Sequence, residues 1–360
     1  MTRPLVTLTD ARRSFAGPAQ GFLGRERPRV QAVAGVSLAI EPGEALGLVG
    51  ESGCGKSTLG RLVQGLERPD GGTVLVDGAP PTADRRTHAR RVQTIYQNPL
   101  DVLDPRLRVA EAVAEPLEIH QLGTREARVE LVMQLLRDVE LPEDLALRYP
   151  HELSGGQAQR VVIARALALE PRVIVCDEPV ASLDAPIQRQ ILRLLDRLRR
   201  NLGLSYLFIS HDLGAVWELC QRVAIMYLGR IVEEGPKEEI FLRPRHPYTQ
   251  ALLTAIPRPD APDAPRAPLL EGEPPSPVNA PPGCAFHPRC AYAQEVCRTA
   301  APALMHTQPL HRTACHLVAS QPMADQHMAD QHMADQHMAE KQANEEQADR
   351  AEEEDQAGAI

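Results

Sequence analysis

Residues 45–58 read ALGLVGESGCGKST, an apolar run that leads into a glycine-rich loop. The run predicts a buried strand, and Ser57–Leu66 predicts the helix that follows the loop. Gly50–Ser57 fits the P-loop pattern, in which small residues let backbone N–H groups wrap phosphates at a helix N-terminus. Lys56 is expected to reach the β- and γ-phosphates, and Ser57 to hold Mg²⁺. The alternative, a chance glycine turn before a helix, fits this strand–loop–helix context less well.

Two adjacent carboxylates, Asp177 and Glu178, follow the apolar run VIVC. Such a pair can divide the work of phosphate hydrolysis, because one carboxylate can hold Mg²⁺ while the other polarises the attacking water. By itself the pair is weak evidence, since buried strands often end in polar residues. Together with the P-loop it predicts ATP hydrolysis. Gln97 and His211, which follow the strand patterns TIY and FIS, are two further candidates for the same site.

A second glycine-rich turn, LSGGQ at Leu153–Gln157, precedes the helix pattern AQRVVIARALA. Two glycines and a serine at a helix N-terminus predict a second anion site, with bare N–H groups and the positive end of the helix dipole. The chain already has its own phosphate loop. We therefore expect this turn to hold the γ-phosphate of ATP bound to another subunit, so that two subunits close head-to-tail around two nucleotides.

These motifs stand in the order found in the ABC ATPase family, which the sequence resembles over about residues 1–240. Phe15 resembles the aromatic that stacks on adenine, and Gly50–Thr58 and VIVCDE are similar to the Walker A and Walker B motifs. SLD at Ser182–Asp184 resembles the D-loop. The glutamine, the LSGGQ turn and the histidine named above are similar to the Q-loop, signature and switch residues. One departure is Ala158, where the family often has arginine or lysine, and we expect it to weaken surface contacts without abolishing ATP binding.

The resemblance implies a role for each matched residue. Glu178 would polarise the attacking water, His211 would stabilise the γ-phosphate, and Gln97 would report the nucleotide state to membrane subunits. Mg²⁺ would be held by Ser57, Gln97 and Asp177. Within this chain, ATP would be bound by Phe15, Gly50, Glu51, Ser52, Gly53, Cys54, Gly55, Lys56, Ser57, Thr58 and Gln97. ATP on the partner subunit would be contacted by Ser154, Gly155, Gly156, Gln157 and Asp184.

The order of strand and helix patterns predicts the fold class. The strand patterns RVIVCD, SYLFIS and RVAIMYL alternate with the helix patterns Ala185–Leu202 and Leu213–Cys220, which indicates an α/β domain with a largely parallel sheet. Residues 1–48 have the pattern of short strands. The resemblance implies a P-loop ABC ATPase cassette in which these strands belong to an antiparallel β subdomain. It also implies an inserted α-helical signature subdomain at about residues 97–165.

Residues 241–320 form a C-terminal extension rich in proline and cysteine. Proline is dense from Pro244 to Pro288, which predicts an extended, wrapped segment. The extension holds four of the chain's cysteines, namely Cys284, Cys290, Cys297 and Cys315. Four soft thiolates suit an iron–sulfur cluster or zinc, and disulfides and unliganded thiols are the alternatives. The family resemblance favours a [4Fe–4S] cluster, and the nearby alternative ligands are His287, His311 and His316.

Two longer sequence segments indicate a particular group within the ABC ATPase family. YQNPLDVLDPRLRV from Tyr96 and YLGRIVEEGPKEEIF from Tyr227 resemble segments of the oligopeptide/dipeptide/nickel importer group, most closely its F-type ATPase. The partners this implies are a D-type ABC ATPase in a heterodimer, two transmembrane permeases and an extracytoplasmic solute-binding protein. Peptides are the default substrate, with nickel and glutathione-like compounds as alternatives. A soluble ABC ATPase acting in DNA repair or translation is the competing function, but such proteins usually carry coiled coils, tandem cassettes or inserted zinc modules.

The bulk properties fit a soluble globular protein, and the resemblance implies that it binds the membrane peripherally. The 360-residue chain has a net charge of -9, partly from its tail, and no basic face that would predict a nucleic-acid partner. Its apolar runs are far shorter than the ~20 residues of a spanning helix, and MTRPLVTLTD lacks the pattern of a secretory signal. We expect a peripheral protein on the cytoplasmic face of the inner membrane. Residues 321–360, with a repeated MADQH and a Glu-rich run, predict disorder.

Overall fold

The computed structural model describes residues 3–17, 28–81, 83–254 and 272–319. The predicted disordered tail and part of the proline-dense segment lie outside these ranges. The chain divides into two units, Met1–His316 and Leu317–Ile360, and the account below concerns the first. Within the described ranges, no helix combines the length and the apolar character that crossing a membrane requires.

The strands and helices are numbered in chain order. The strands are β1 Val6–Ala16, β2 Arg29–Ile40, β3 Ala45–Val49, β4 Gly71–Val76, β5 Val92–Ile95, β6 Val173–Asp177, β7 Ser205–Ile209, β8 Arg222–Tyr227, β9 Arg230–Pro236, β10 Met305–Gln308 and β11 His311–Thr313. The α-helices are α1 Lys56–Val63, α2 Arg85–Arg91, α3 Val109–Ile119, α4 Arg125–Asp138, α5 Gly155–Leu167, α6 Ala185–Leu202, α7 Leu213–Leu219, α8 Lys237–Leu242, α9 Pro247–Thr254, α10 Glu295–Thr299 and α11 His316–Ala319.

The main sheet carries the loops of the candidate site. Its strands, as far as the chain is described, lie in the order β10-β11-β9-β8-β3-β7-β6-β5. The run β8-β3-β7-β6-β5 is parallel, as the alternation of strands and helices predicted. β3 and β7 are buried at every residue, the pattern of strands covered on both faces. The carboxyl ends of parallel strands lie at one edge of a sheet, so the loops after Val49, Ile95, Asp177 and Ile209 emerge together.

A smaller antiparallel sheet has the order β2-β1-β4 among the described strands. Val6 pairs with Ile40 on one side and with Val76 on the other, and all three side chains are buried. The predicted antiparallel subdomain is therefore confirmed. Its third strand, Gly71–Val76, follows the P-loop helix and was not predicted, because the short stretch GGTVLV begins with two glycines and gives little strand signal.

The inserted helical region is built from α3, α4 and α5, which contact one another. The longest of the three is α4, and the stretch Arg125–Val139 that contains it has apolar residues at a spacing near 3.6, the pattern that predicts a helix. Thr124 caps it by accepting a hydrogen bond from the Ala127 N–H over 3.3 Å. Leu136 is fully buried in the core shared by these helices. The region thus forms the helical insert that the sequence predicted.

Helix α6 shows why some boundaries could be read directly from the sequence. Asp184 accepts a hydrogen bond from the Ile187 N–H over 2.9 Å and begins the helix, and Gly203 ends it in the left-handed conformation with φ of 65°. Ile191 and Leu195, one turn apart, are fully buried. Burial of each such side chain contributes about 1.5–3 kcal/mol. The observed bounds, Ala185–Leu202, are those predicted.

The end of the described chain adds two strands to the main sheet. β11 pairs with β9, with Arg312 opposite Glu234 and Thr313 opposite Glu233, and β10 pairs with β11. Beside this pairing the Nε2 atom of His311 lies 2.8 Å from an oxygen of Glu233, and both side chains are fully buried. The sequence did not predict these strands. Three or four residues without alternation carry no strand signal. The prediction of an extended segment from Pro244 to Pro288 was wrong at Pro247–Thr254, where the chain forms helix α9.

Candidate functional site

The loop after β3 has a backbone shape that requires glycine at two positions. A Cβ atom on Gly50 would lie 2.2 Å from the carbonyl oxygen of Met226, and one on Gly55 would lie 2.0 Å from that of Ala32. Gly55 also has φ of 109° and is the N-cap residue of α1. Since glycine has no side chain, it cannot cap the helix with a side-chain hydrogen bond. The first turn of α1 therefore begins without a side-chain cap, as expected where a phosphate is to be bound.

The side chain of Lys56 contacts the backbone of the phosphate loop. Its Nζ atom donates hydrogen bonds to the carbonyl oxygens of Gly50 at 2.7 Å and Glu51 at 2.9 Å, and the residue is only 6% exposed. Cys54 is also buried, and burial raises the pKa of its thiol. The Lys56 Nζ atom also lies 3.9 Å from the Cys54 sulfur. These partners, two carbonyls and a thiol, carry no negative charge, which fits an anionic ligand for the ammonium. Of the other loop residues, those at the surface are Ser52, Gly53 and Ser57, and Thr58 is half-buried.

A cleft of about 800 Å³ lies beside this loop at the carboxyl edge of the main sheet. Its lining residues are Ser52, Ser57, Tyr96, Gln97, Asn98, Asp101, Val102, Arg165, Asp177 and Glu178. The cleft therefore brings together the three predicted Mg²⁺ ligands and the predicted catalytic glutamate. Sequence reasoning did not single out Arg165, which also pairs with Glu115 over 2.7 Å. One arginine in an amphipathic helix carries no signal of its own.

Asp177 and Ser57 meet at the floor of the cleft. The Ser57 hydroxyl donates a hydrogen bond to Asp177 Oδ1 over 3.1 Å. Burial raises the pKa of the Asp177 carboxyl, the Ser57 hydrogen bond lowers it, and the neighbouring charge of Glu178 raises it further. Hydroxyl, amide and carboxylate oxygens are the ligands that Mg²⁺ prefers, and a partly buried carboxylate favours a nearby cation. The residues present thus fit the metal ion that ATP carries.

Glu178 occupies a strained backbone position. Its φ is 53°, in the left-handed region that non-glycine residues rarely adopt, and its N–H donates to the Ile209 carbonyl over 2.9 Å. One carboxylate oxygen lies 3.2 Å from the Nδ1 atom of His211. The predicted base and the predicted switch histidine are therefore neighbours. The His211 side chain is 61% exposed.

The loop after Glu178 reaches back to the predicted Q-loop. The Ser182 hydroxyl donates to the main-chain carbonyl of Gln97 over 3.1 Å. Gln97 itself lies at the surface and lines the cleft. Asp184, predicted to contact a partner's nucleotide, uses one carboxylate oxygen to cap α6 within this chain. The oxygen that accepts this hydrogen bond is Oδ1.

The signature turn has an internal cap. Ser154 Oγ accepts from the Gln157 N–H over 3.3 Å, and Gln157 Oε1 accepts from the Ser154 N–H over 2.9 Å, a reciprocal capping box. The expectation of bare N–H groups was therefore wrong for Gln157, because the serine hydroxyl reaches it. Ser154 and Gly155 are exposed, whereas Ala158 is 1% exposed. The expectation that alanine at this position weakens surface contacts without abolishing ATP binding stays a prediction.

Phe15 lies on β1 opposite Val30, half-buried, in the smaller sheet. The guanidinium carbon of Arg13 lies 4.8 Å from the centroid of its ring. A cation on one face of the ring leaves a single face for another planar group. The predicted stacking on adenine stays a prediction.

The four cysteines of the extension lie near one another. The pKa of the Cys284 thiol is raised to about 11, mainly by burial, and the neighbouring thiols of Cys297, Cys315 and Cys290 act in the same direction. Cys284 N–H also donates to the Cys297 carbonyl over 2.8 Å. Yet in the part of the chain that is described, no group of three or more His, Cys, Asp or Glu side chains is arranged to hold a metal ion. The structure therefore gives no support for the predicted iron–sulfur or zinc site.

The three histidines considered as alternative metal ligands are engaged elsewhere. His287 Nδ1 lies 2.9 Å from the Cys284 carbonyl oxygen, and His316 Nε2 lies 2.9 Å from that of Ala300. His311 contacts a buried glutamate of β9, as described above. Each ring is thus held by a neighbour that is not a cysteine thiol.

Comparison with known proteins gives two family matches. The model of the ABC transporter family matches residues 33–181, and the model of the oligopeptide/dipeptide transporter C-terminal region matches residues 232–297. The "Probable peptide ABC transporter ATP-binding protein y4tS" of Sinorhizobium fredii is 48% identical over 299 residues, which cover 82% of this chain and 85% of the relative. A Brucella ovis protein named for peptide import and ATP binding is 48% identical over 284 residues, or 78% of this chain and 90% of the relative.

Solved structures agree with these matches. The dimeric ATP-binding cassette MJ0796, in a post-hydrolysis state with ADP and Pi, has a TM-score of 0.56 at 29% identity and covers 64% of this chain and 98% of its own. The protein cbiO1 of Clostridium perfringens, part of the ABC transporter complex cbiONQ, has a TM-score of 0.58 at 26% identity. It covers 67% of this chain and 91% of its own. The shared region is the cassette.

Proposed function

Because the chain belongs to the family of ABC transporter ATP-binding proteins, we propose that it hydrolyses ATP to drive an importer of di- or oligopeptides or a related small solute. The observation that carries the importer class is the oligopeptide/dipeptide transporter match at residues 232–297. The relatives named for peptide import support the same class. A DNA-repair or translation ATPase is not favoured, because these relatives and this second family match both belong to transport.

In this proposal the loop Gly50–Ser57 binds the phosphates of ATP. The Lys56 ammonium, now satisfied by loop carbonyls, turns to the β- and γ-phosphates when nucleotide enters. Ser57, Gln97 and Asp177 hold Mg²⁺, which neutralises charge that develops on the phosphates. Their common place in one cleft supports this assignment. Phe15 receives the adenine on its free face.

Glu178 acts as the base that accepts a proton from the attacking water. Its strained backbone and its contact with His211 support this role, since both fix the carboxylate at the cleft. His211 lies beside the same carboxylate and stabilises the γ-phosphate during transfer. The adjacent Asp177 is left to hold the metal ion.

The signature turn serves the nucleotide of a second cassette. Ser154, Gly155, Gly156 and Gln157 contact the γ-phosphate bound by that partner, with Asp184 beside them. The exposed position of Ser154 and Gly155 at a helix N-terminus supports this role. The partner is a D-type ABC ATPase, and the pair docks on two membrane permeases at the cytoplasmic face of the inner membrane. An extracytoplasmic binding protein delivers the solute.

The four-cysteine segment is proposed as a [4Fe–4S] site on the family resemblance and the softness of its four donors alone, although the described residues hold no group of side chains arranged for a metal ion. The chemistry of four soft donors fits iron and sulfide better than a hard cation. Iron and sulfide content after anaerobic purification tests the assignment. Metal-free protein whose four thiols all react with an alkylating reagent would overturn it.

The transport assignment is tested by purifying the tagged chain from detergent-solubilised membranes and identifying its partners by mass spectrometry. We expect two permeases and a second cassette in equal amounts. Recovery of ribosomes or DNA-repair factors without any permease would reverse the assignment. The solute-binding protein encoded with these partners, and the ligand that it carries, would then identify the cargo.

A further inference from the structure

Glu51, the second residue of the phosphate loop, is held by the C-terminal extension. Arg289 donates two hydrogen bonds to its carboxylate, at 2.8 and 3.0 Å, in a bidentate ion pair. The Arg289 side chain is only 6% exposed, and that of Glu51 is 22% exposed. Because the guanidinium is largely buried and both carboxylate oxygens are engaged, this contact is fixed more firmly than an ordinary surface ion pair.

A second contact fixes the main chain of the same residue. The Glu51 N–H donates to the hydroxyl of Tyr248 over 3.0 Å. Tyr248 is fully buried, and its ring centroid lies 4.7 Å from that of Tyr227 and 5.4 Å from that of Phe286. Phe286 also accepts the Arg289 N–H through its carbonyl over 3.0 Å. The backbone and the side chain of Glu51 are thus both held by residues of the C-terminal segment.

The negative charge of Glu51 affects ATP binding, because this residue lies in the phosphate loop. A carboxylate in a phosphate-binding loop repels the phosphates of ATP at short range. The bidentate pairing with Arg289 neutralises that charge. Loss of Arg289 would therefore do two things at once, because it would release the loop and leave an unpaired negative charge beside the phosphate site.

We propose that Arg289 is a positioning residue for nucleotide binding, which acts from the C-terminal extension by holding and neutralising Glu51 of the phosphate loop. The inference rests on the proposed role of Gly50–Ser57 in binding ATP. Its consequence is that the extension contributes to ATP affinity in this chain, although none of the extension's described residues lines the cleft around Asp177 and Glu178.

A purely structural role for Arg289, as a staple that attaches the extension, predicts a different pattern of mutant effects. If the ion pair only attaches the extension, Arg289→Gln and Glu51→Gln remove the same contact and have the same effect on the Kd of Mg-ATP. Adding Glu51→Gln to Arg289→Gln then does not restore the Kd. The positioning role predicts repair, since Arg289→Gln leaves a repulsive carboxylate that Glu51→Gln then removes. The two roles are thus separated by the double variant.

The experiment measures the Kd of Mg-ATP by titration calorimetry for the full chain and its variants. We expect Arg289→Gln to raise the Kd about tenfold, which corresponds to ~1.4 kcal/mol. Glu51→Gln alone should raise it by less, and Glu51→Gln/Arg289→Gln should return to within about twofold of Glu51→Gln. An unchanged Kd in Arg289→Gln, or a double variant no better than Arg289→Gln, would overturn the proposal.

The matched control is Arg312→Gln. Arg312 also joins the extension to the cassette through an ion pair, with Glu234, but it does not contact the phosphate loop. Its Kd should equal that of the parent. Lys56→Ala tests the underlying assignment, because retained ATP binding in that variant would refute the loop's role itself and not the role of Arg289.

Circular dichroism establishes that each variant is folded. Should Arg289→Gln not fold, Arg289→Lys keeps the charge while losing the bidentate geometry, and it should raise the Kd about threefold. A Kd equal to that of the parent in Arg289→Lys would then contradict the proposal.

Discussion

Two glycine-rich turns begin helices in this molecule, and they are supported in opposite ways. The phosphate loop Gly50–Ser57 is held from outside by Tyr248 and Arg289, and its Lys56 is 6% exposed. The signature turn Leu153–Gln157 is exposed at Ser154 and rests on its own capping box. One turn is preorganised by the rest of the chain. The other is capped by its own serine and glutamine and exposes Ser154 and Gly155 to solvent.

The difference fits two halves of a composite site. A loop that wraps phosphate needs a fixed backbone, because each misplaced N–H group weakens the binding of the phosphate. A turn that must meet another subunit has to be accessible before they close. On this account the phosphate loop serves ATP binding and hydrolysis within its own subunit. The signature turn serves the closure of two subunits around ATP.

The largest effect is expected at Glu178, on the phosphate-loop side of the site. A change at this residue should affect ATP hydrolysis and leave ATP binding intact. Glu178→Gln keeps the size of the side chain but removes the base, so the ATPase rate should fall roughly 10²–10⁴-fold while ATP still binds. A phosphate-release assay and a titration measure the two quantities. Glu218→Gln, an exposed glutamate of α7, is the control and should leave the rate unchanged. Full activity in Glu178→Gln would remove this residue from the mechanism.

A smaller effect is expected at the signature side. Ser154→Ala and Thr124→Ala each delete an N-cap hydrogen bond of 3.3 Å, so both should destabilise the chain by about 1 kcal/mol. Only Ser154→Ala should also lower the ATPase rate of the assembled pair of cassettes, about tenfold, through the lost contact to charged phosphate. Thermal melts and steady-state rates are compared for the two variants. Equal rates would place Ser154 among ordinary helix caps.

The smallest effect concerns pH and the support of the phosphate loop. Burial lowers the pKa of His246 to about 4, while Glu233 acts in the opposite direction. Its Nδ1 atom accepts from the Tyr248 N–H over 3.0 Å, so the neutral ring supports the tyrosine that holds Glu51. Because the unfolded chain takes up this proton near pH 6.5 and the folded chain does not, stability is complete above pH 6.5 and falls as the pH drops.

Between pH 7 and pH 5.5 this histidine should remove about 1 kcal/mol from the free energy of unfolding. Denaturant titrations at several pH values measure the slope for the parent and for His246→Gln, which keeps a hydrogen-bond acceptor. The slope should be shallower in His246→Gln and unchanged in the control His306→Gln, an exposed position on β10. Identical slopes in all three proteins would mean that His246 titrates normally.

Local signals made much of the fold predictable. The bounds of α6 follow from Asp184, Gly203 and a regular apolar face, all of which can be read within one stretch of sequence. The phosphate loop likewise needs only its own glycines and its place between a strand and a helix. The cleft could be anticipated because the carboxyl ends of parallel strands meet at one edge.

The remainder depends on contacts between distant parts of the chain. Arg289 and Glu51 are 238 positions apart, and no pattern around either residue indicates that they pair. The strands β10 and β11 were missed because their place in the sheet is set by buried His311 and Glu233, not by alternation. The capping box of the signature turn was overlooked because Gln157 was assigned only to the partner's nucleotide, although its spacing from Ser154 is that of a capping pair.

The central claim is that the phosphate loop of one cassette meets the signature turn of another across ATP. Sedimentation of the Glu178→Gln chain with its companion cassette tests it most directly. We predict that a dimer forms with Mg-ATP, does not form with ADP, and is lost when Ser154→Arg is added to this chain. Failure to associate with Mg-ATP, or association that is indifferent to Ser154→Arg, would contradict the account.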